Sequence, residues 1–379
     1  MMQRLDLSGT WKVRWSDGQR GRTEYAERDE TDPARYIDAV VPGEIHLDAL
    51  KAGWIADPYV GLNCLAARWV EECIWSYRRE FEAPDAAFSA ARVWLDLQGL
   101  DLVATVVLNG QEIGRHRNSF YPCRLEVTGK LRPGRNVLAV HLDGGLFDAA
   151  ERPFAGHGVS PDARLHKRHW LRKPQSQFSW DWSTRLVNVG ITGPVTLEWT
   201  EDPVRLDQFV PLAELSPDLR KGTVRARLFV EGLAADEQTG ELTVAVEETG
   251  DRATRTVTIK PGLAPCEATV ELADPALWWP AGHGPQNRYT VTATLRLDDR
   301  VVGQAQARVG FRHFRVNQSP HPVQGRYFTF EINGRKIFIK GGNFVPADMI
   351  FPRADQARYD VLTDRALEAN FNLLRIWGG

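Results

Sequence analysis

Short runs of alternating apolar and polar residues, punctuated by turn residues, fill most of the chain. Val93, Leu95 and Leu97 alternate with Trp94, Asp96 and Gln98, the period-two signature of a half-buried strand. A second run ends at Asn109-Gly110, a strong hairpin turn. A third follows Pro133-Gly134 and places Leu138, Val140 and Leu142 on one side. Many strands at this spacing, with no convincing amphipathic helix among them, predict a β-sandwich of jelly-roll type over 1–201. The same grammar returns after Asp202-Pro203. Val224, Ala226, Leu228 and Val230 alternate with Arg225, Arg227 and Phe229. Tyr289, Val291, Ala293, Leu295 and Leu297 alternate with Thr290, Thr292, Thr294 and Arg296. Strands of this kind bury one face in an antiparallel sheet, and 202–314 is expected to be an immunoglobulin-like sandwich.

From 315 the pattern changes. Residues 327–332 and 335–339 flank Asn333-Gly334, a further hairpin, and the second arm runs on into Lys340-Gly341-Gly342-Asn343. Tyr359, Leu362, Ala366 and Ala369 then recur at helical spacing behind Asp355, a suitable N-cap, and 372–377 reads as another strand. Strand, helix, strand is the opening unit of a parallel α/β fold. Between the two sandwich strand sets, 144–186 breaks the rhythm with glycines, prolines, basic residues and tryptophans. A loop of that length in a compact domain points to function or disorder, and the tryptophans favour function.

Composition narrows the classes. A chain of 379 residues suits two or three domains, and a net charge of -2 from 47 basic and 49 acidic residues argues against a nucleic-acid or polybasic membrane partner. The longest apolar run, 102–108, is too short to span a bilayer. The first residues enter folded-looking sequence without the apolar core of a signal peptide, so a cytoplasmic protein is expected. The four cysteines, Cys64, Cys73, Cys123 and Cys266, show no metal or redox spacing. They read as buried free thiols, with a Cys64–Cys73 bridge as the alternative. Glycine-rich phosphate loops are absent, and no cofactor is predicted.

Thirteen tryptophans are an excess, and indoles offer the apolar faces on which sugar rings stack. The most suggestive stretch is Phe178-Ser179-Trp180-Asp181-Trp182. A carboxylate between two indoles can accept from hydroxyls while a ring stacks beside it. The alternative is a structural loop with Asp181 capping a turn. In the last strand Leu373, Arg375 and Trp377 share one side, with Arg375 and Trp377 nearest the C-terminal end, where barrel active sites are built. The alternative is an arginine paired within the core. The basic run Arg164, His166, Lys167, Arg168, His169, Arg172 and Lys173 carries no recognition motif, and His166 with His169 lacks a third metal ligand at suitable spacing.

A retaining sugar hydrolase needs two carboxyl groups about 5–5.5 Å apart. Glu71-Glu72 and Glu247-Glu248 are neighbours in strand-like segments and should face opposite sides. After Lys340 the only glutamate is Glu368, within the helix, and no Asn-Glu dipeptide occurs. The pair is missing, so the chain alone is expected to hydrolyse nothing.

Taken together these residues resemble the N-terminal part of a β-mannosidase of glycoside hydrolase family 2, from end to end. The resemblance rests on Leu7-Ser8-Gly9-Thr10-Trp11, Val41-Pro42-Gly43-Glu44-Ile45-His46, Trp69-Val70-Glu71-Glu72 and Gly99-Leu100-Asp101. It continues through Phe178 to Trp182, Leu277-Trp278-Trp279-Pro280, Val309-Gly310-Phe311-Arg312, Lys340-Gly341-Gly342-Asn343 and Arg375-Ile376-Trp377-Gly378-Gly379. It implies a mainly all-β chain: a jelly-roll sugar-binding domain over 1–201, an immunoglobulin-like domain over 202–314, and over 315–379 the first βαβ unit of a truncated (β/α)₈ TIM barrel. The implied activity is retaining removal of terminal non-reducing β-mannose from oligosaccharides or glycoconjugates. The implied sugar contacts are Asp181 with Trp182 beside it, Trp377, and, near the barrel mouth, Asn343, Asp348 and Arg375. Both catalytic glutamates would lie on later barrel strands.

The resemblance has departures. Ser183-Thr184 stand where relatives usually carry Gly-Pro after Trp182, and Gly190-Ile191-Thr192 lacks a common Trp. They leave β-glucosaminides and β-galactosides open as substrates, and a stand-alone carbohydrate-binding protein is the reading from another class. No nucleic-acid or membrane partner is expected, and homo-oligomerisation stays open.

Overall fold

The computed structural model describes residues 2–17, 36–153 and 167–378. They form two compact units. One comprises Gln3–Trp199 with Pro346–Tyr359, the other Thr200–Val345 with Asp360–Trp377. No helix among the described residues is long and apolar enough to cross a membrane.

The first unit is a sandwich of two antiparallel sheets. The six-stranded sheet runs in the order Ile37–Val41, Gly9–Asp17, Cys73–Glu82, Arg135–Asp143, Val103–Leu108, Gln111–His116. The four-stranded sheet runs Gln3–Asp6, Val195–Thr200, Arg92–Leu97, Cys123–Glu126. Neighbours so far apart in sequence are the mark of jelly-roll connectivity. Trp11, Trp75, Tyr77, Leu97, Val106 and Val140 meet in one core between the sheets. The Asn109-Gly110 hairpin forms as the sequence predicts, with φ of 54° and 81°, the left-handed pair that a two-residue turn of this type requires.

One expectation needs correction here. Arg92–Leu97 is not half-buried: Trp94 and Asp96, on the face read as exposed, are buried too. The cause is a charge ladder across the outer face of the four-stranded sheet. Arg124 lies opposite Asp96 and contacts it at 3.1 Å, and also reaches Glu198 at 3.6 Å, while Arg4 closes on Glu198 at 3.3 Å. Each buried carboxylate thus has a guanidinium beside it, which makes its burial tolerable.

The second unit holds an immunoglobulin-like sandwich. Val204–Leu215, Lys221–Gly232 and Gly262–Ala273 form one sheet. Arg252–Ile259, Gln238–Val246, Tyr289–Leu297 and Arg300–Val309 form the other. The alternation of 289–297 holds without exception, since Tyr289, Val291, Ala293, Leu295 and Leu297 are all buried.

Beyond it come a three-stranded sheet, Phe314–Asn317, Thr329–Ile332 and Arg335–Ile337, and a parallel pair, Gly341–Phe344 with Leu373–Ile376. The helix Gln356–Glu368 connects the parallel strands. Gly341 is required there, because a Cβ would stand 1.9 Å from the Leu373 carbonyl oxygen. Asp355 caps the helix by accepting from the Arg358 amide at 2.9 Å. The apolar face predicted for this helix is not buried: Leu362 and Ala366 are half-covered, and Tyr359 and Ala369 are exposed. All four cysteines are buried free thiols, so the bridge alternative falls away.

Candidate functional site

Phe178 pairs with Arg185 and Trp180 with Ser183, so Asp181 and Trp182 are the two turn residues of a tight hairpin. This position lifts the Asp181 carboxylate into solvent. It forms no ion pair or hydrogen bond among the described residues. Trp180 and Trp182 flank it at 41% and 36% exposure. The Arg168 guanidinium lies 5.5 Å from the centre of the Trp180 ring and donates to the Ser179 carbonyl at 3.4 Å. Trp182 borders a shallow cleft with Thr184, Leu186, Met349 and Phe351. The hairpin therefore presents a carboxylate between two indoles, a combination able to accept from hydroxyls beside an apolar ring.

The foot of the hairpin is fixed by buried charge. Glu71 receives the Arg185 fork, with Nε at 2.8 Å from Oε1 and Nη2 at 2.6 Å from the same oxygen. Glu71 lies in the 3-10 helix Ala67–Glu72, not in a strand, which corrects the expectation for Glu71-Glu72. Glu248 likewise lies past the end of its strand, taking the Thr290 amide and hydroxyl. A second buried pair stands just upstream of the hairpin. Lys173 Nζ lies 2.9 Å from Asp101 Oδ1, an ion pair without hydrogen-bond alignment, and donates to the Asn188 carbonyl at 2.8 Å. Gln177 donates to Asp101 Oδ2 at 3.0 Å and accepts from the Asn188 amide at 3.0 Å.

Lys167 donates to the carbonyls of Ala150 and Arg152 at 2.6 Å. Lys167, Arg168 and Lys173 of the basic run are thus taken up by internal partners, while His169 and Arg172 are exposed. Arg164 and His166 lie outside the described residues, and with them half of the two-histidine metal reading. Among the described residues no three His, Cys, Asp or Glu side chains gather as metal ligands.

In the second unit Asn343 and Arg375 face each other across the parallel pair, and Arg375 donates to Asn343 Oδ1 at 2.9 Å. Arg375 is exposed, so the core-arginine reading is set aside. The Trp377 amide donates to the Phe344 carbonyl at 3.0 Å, which carries the pairing one residue further. Asp348, in the first unit, is differently placed. The Tyr59 hydroxyl donates to its Oδ1, the Ile350 amide donates to the same oxygen at 3.0 Å, and Arg353 lies 3.4 Å from Oδ2. Burial and this carboxylate push the Tyr59 phenol well above its usual range.

Sequence reasoning gives no supporting role to Glu71 or Lys173, which it weighs as part of a carboxyl pair and of a basic run, and none to Tyr59. Glu71 and Asp101 stood inside quoted motifs, but nothing local announced their partners.

The arrangement has known relatives. Residues 11–193 match the glycosyl hydrolase 2 galactose-binding domain-like model, and residues 204–312 match that of glycosyl hydrolases family 2. Beta-mannosidase B of Thermothelomyces thermophilus is 32% identical over 361 residues, covering 94% of this chain and 41% of that protein. The Bos taurus beta-mannosidase is 28% identical over 99% of this chain and 42% of its own length. The crystal structure of a beta-D-mannosidase from Dictyoglomus thermophilum superposes with a TM-score of 0.83 at 29% identity, over 100% of this chain and 44% of that one. The Amycolatopsis orientalis exo-chitosanase shares the fold, with a TM-score of 0.75 at 19% identity over 99% of this chain and 41% of its own. The chain thus spans about two fifths of the length of these relatives.

Proposed function

We propose that this chain, which belongs to glycoside hydrolase family 2, is the sugar-recognising portion of a retaining exo-glycosidase acting on terminal non-reducing β-D-mannose. The substrate would be an oligosaccharide or glycoconjugate. The observation that carries this reading is the Asp181 turn, an exposed carboxylate between two indoles on a foot of buried ion pairs. Asp181 and Trp182 are assigned as sugar contacts, and Asn343, Arg375 and Trp377 as further ones. Asp348, with both oxygens engaged, acts by holding the segment around Ile350.

Domain limits of 1–201, 202–314 and 315–379 go with this proposal, the last as the opening of a (β/α)₈ barrel. A helix between two parallel strands supports that assignment. The acid/base and nucleophile glutamates are assigned outside these 379 residues, because the sequence holds no Asn-Glu and Glu71 is held in an ion pair. Protonation of the leaving oxygen and attack on the anomeric carbon each need a carboxyl group. What this chain contributes is orientation of the sugar hydroxyls.

The test is an assay of the purified 379-residue chain beside one carried to the relatives' length, on aryl β-mannoside, β-glucosaminide and β-galactoside. Turnover of the mannoside by the longer chain alone is expected. Preference for another glycoside would reassign the specificity. Turnover by the short chain that vanishes in Asp181→Ala would make Asp181 a reacting group instead of a binding one.

A further inference from the structure

A cleft of about 470 Å³ opens on the second unit, among residues that neither the Asp181 hairpin nor the parallel pair uses. Its volume lies in the range of small-molecule sites. Three guanidinium groups line it: Arg288, Arg308 and Arg312. The acid in the lining is Glu214, which lies 4.0 Å from Arg225 on the adjoining strand. Arg308 feels the charge of Glu248, but that carboxylate already accepts the Thr290 amide at 2.8 Å and hydroxyl at 3.0 Å. Arg288 and Arg312 form no ion pair among the described residues. Three guanidinium cations thus face one acid with a partner of its own.

The cleft is also shaped in advance. The Arg312 guanidinium stacks on Trp278 at 4.6 Å from the ring centre, which restrains a side chain that would otherwise be free to turn. Trp278 is held in turn: its amide donates to the Phe311 carbonyl at 2.9 Å, and its carbonyl accepts from Asn333 at 3.0 Å. Gly310 leaves room for the indole, since a Cβ there would stand 3.1 Å from it. Leu212 and Phe314 add exposed apolar surface to the rim.

We propose that this cleft binds a small organic anion, a carboxylate or phosphate ester carried on a ring-sized body. Guanidinium forks match the paired oxygens of either group, and the apolar rim gives the body a surface that a bare inorganic ion cannot use. The lining of the cleft shares no residue with the assigned sugar contacts.

Calorimetric titration of the full chain at constant ionic strength tests it, with glucuronate, glucose 6-phosphate, inorganic phosphate and neutral glucose as probes. Saturable binding of glucuronate or glucose 6-phosphate is expected, whichever is tighter naming the source, with none for glucose. Arg308→Gln and Arg288→Gln should each weaken it at least fivefold, and Arg312→Gln at least tenfold. Arg326→Gln, which removes the same charge away from the cleft, should leave it within twofold. Thermal melts establish that each variant is folded. Arg288 and Arg308, for which no ring stacking is found among the described residues, keep the test decisive if Arg312→Gln, which gives up its stacking on Trp278, is not. Equal weakening by Arg326→Gln, or no saturable binding of either organic anion, overturns the proposal. Inorganic phosphate binding as tightly as both organic anions overturns the assignment to an organic ligand.

Discussion

The hairpin that carries Asp181 and the parallel pair that carries Asn343 and Arg375 present polar side chains on very different supports. The hairpin stands on two ion pairs whose four members are almost wholly buried, with partners far away in sequence. The parallel pair is joined by an exposed hydrogen bond and a helix that buries no side chain. Coulomb attraction strengthens as water is excluded, and so does the penalty for leaving one partner alone. The hairpin geometry is therefore set by the sandwich beneath it, while the parallel pair depends on its own backbone ladder. A sugar-contacting carboxylate gains from the first arrangement, because a rigid foot leaves little ordering entropy to be lost on binding.

The largest test of this contrast is the Glu71–Arg185 pair. Arg185→Met strands a buried carboxylate and is expected to cost about 3–5 kcal/mol of stability. The double replacement Glu71→Met with Arg185→Met should regain most of that, since no lone charge is left behind. Urea unfolding of the chain measures both. Equal losses for the single and double variants would mean that packing, not charge, holds the hairpin.

Asp181→Ala comes next, with an effect confined to binding. An exposed turn carboxylate without partners should change stability by less than about 0.5 kcal/mol. In a catalytically complete chain the same change should lose roughly 2–4 kcal/mol of transition-state binding, the scale of a charge-assisted hydrogen bond. Unchanged kcat/KM would return Asp181 to a turn-capping role.

A third test uses pH, because titratable groups with strongly shifted pKa values lie in the sandwich that supports the hairpin. Burial pushes Asp48 up to about 7, with nearby Glu44 adding to the shift and the Val40 amide and Lys51 opposing it. Burial likewise raises Asp143 to about 6. A carboxyl group raised in the folded state contributes stability that is fully present below its unfolded value near 3.8 and lost as pH rises through 7. His141 acts in the opposite sense. Burial, with Arg14 nearby, lowers it to about 4, so its contribution is lost as pH falls from 6.5 toward 4. Asp48→Asn keeps an acceptor for the Val40 amide and cannot ionise. It should match the parent at pH 4 and exceed it by about 1–3 kcal/mol at pH 8. A constant difference across that range, followed by denaturant melts, would place the Asp48 carboxyl in contact with water.

The same contrast explains what was legible beforehand. Alternation over 289–297, the two Asn-Gly turns and the Asp355 cap are written within a few residues, because pleat, left-handed φ and capping geometry are local demands. The turn that holds Asp181 was visible as a motif for the same reason. Its support was not: Arg185 meets a glutamate 114 positions earlier, and only the folded sheets bring them together. Asp96 misled for a related reason, since the arginine that permits its burial comes from another strand. The helix Gln356–Glu368 shows the converse, a correct amphipathic period whose apolar face has little to cover it.

The smallest effect is expected where the support is thinnest. Arg375→Ala removes an exposed hydrogen bond to Asn343, and solvent replaces such a bond at little cost, so stability should fall by less than about 1 kcal/mol. The backbone register does not need the side chains: the ladder from Gly341 to Phe344 is complete, and the Trp377 amide extends it. Amide exchange at Gly342 and Phe344 should therefore change less than threefold in Arg375→Ala, although a sugar contact at this position would be lost. Gly341→Ala should do the reverse. It leaves Arg375 in place but drives a methyl group against the Leu373 carbonyl, so the strands must separate and exchange must accelerate throughout the pair. If Arg375→Ala loosened the ladder as much as Gly341→Ala, the side-chain bond would be holding the strands together. The parallel pair would then share the hairpin's dependence on charged side chains.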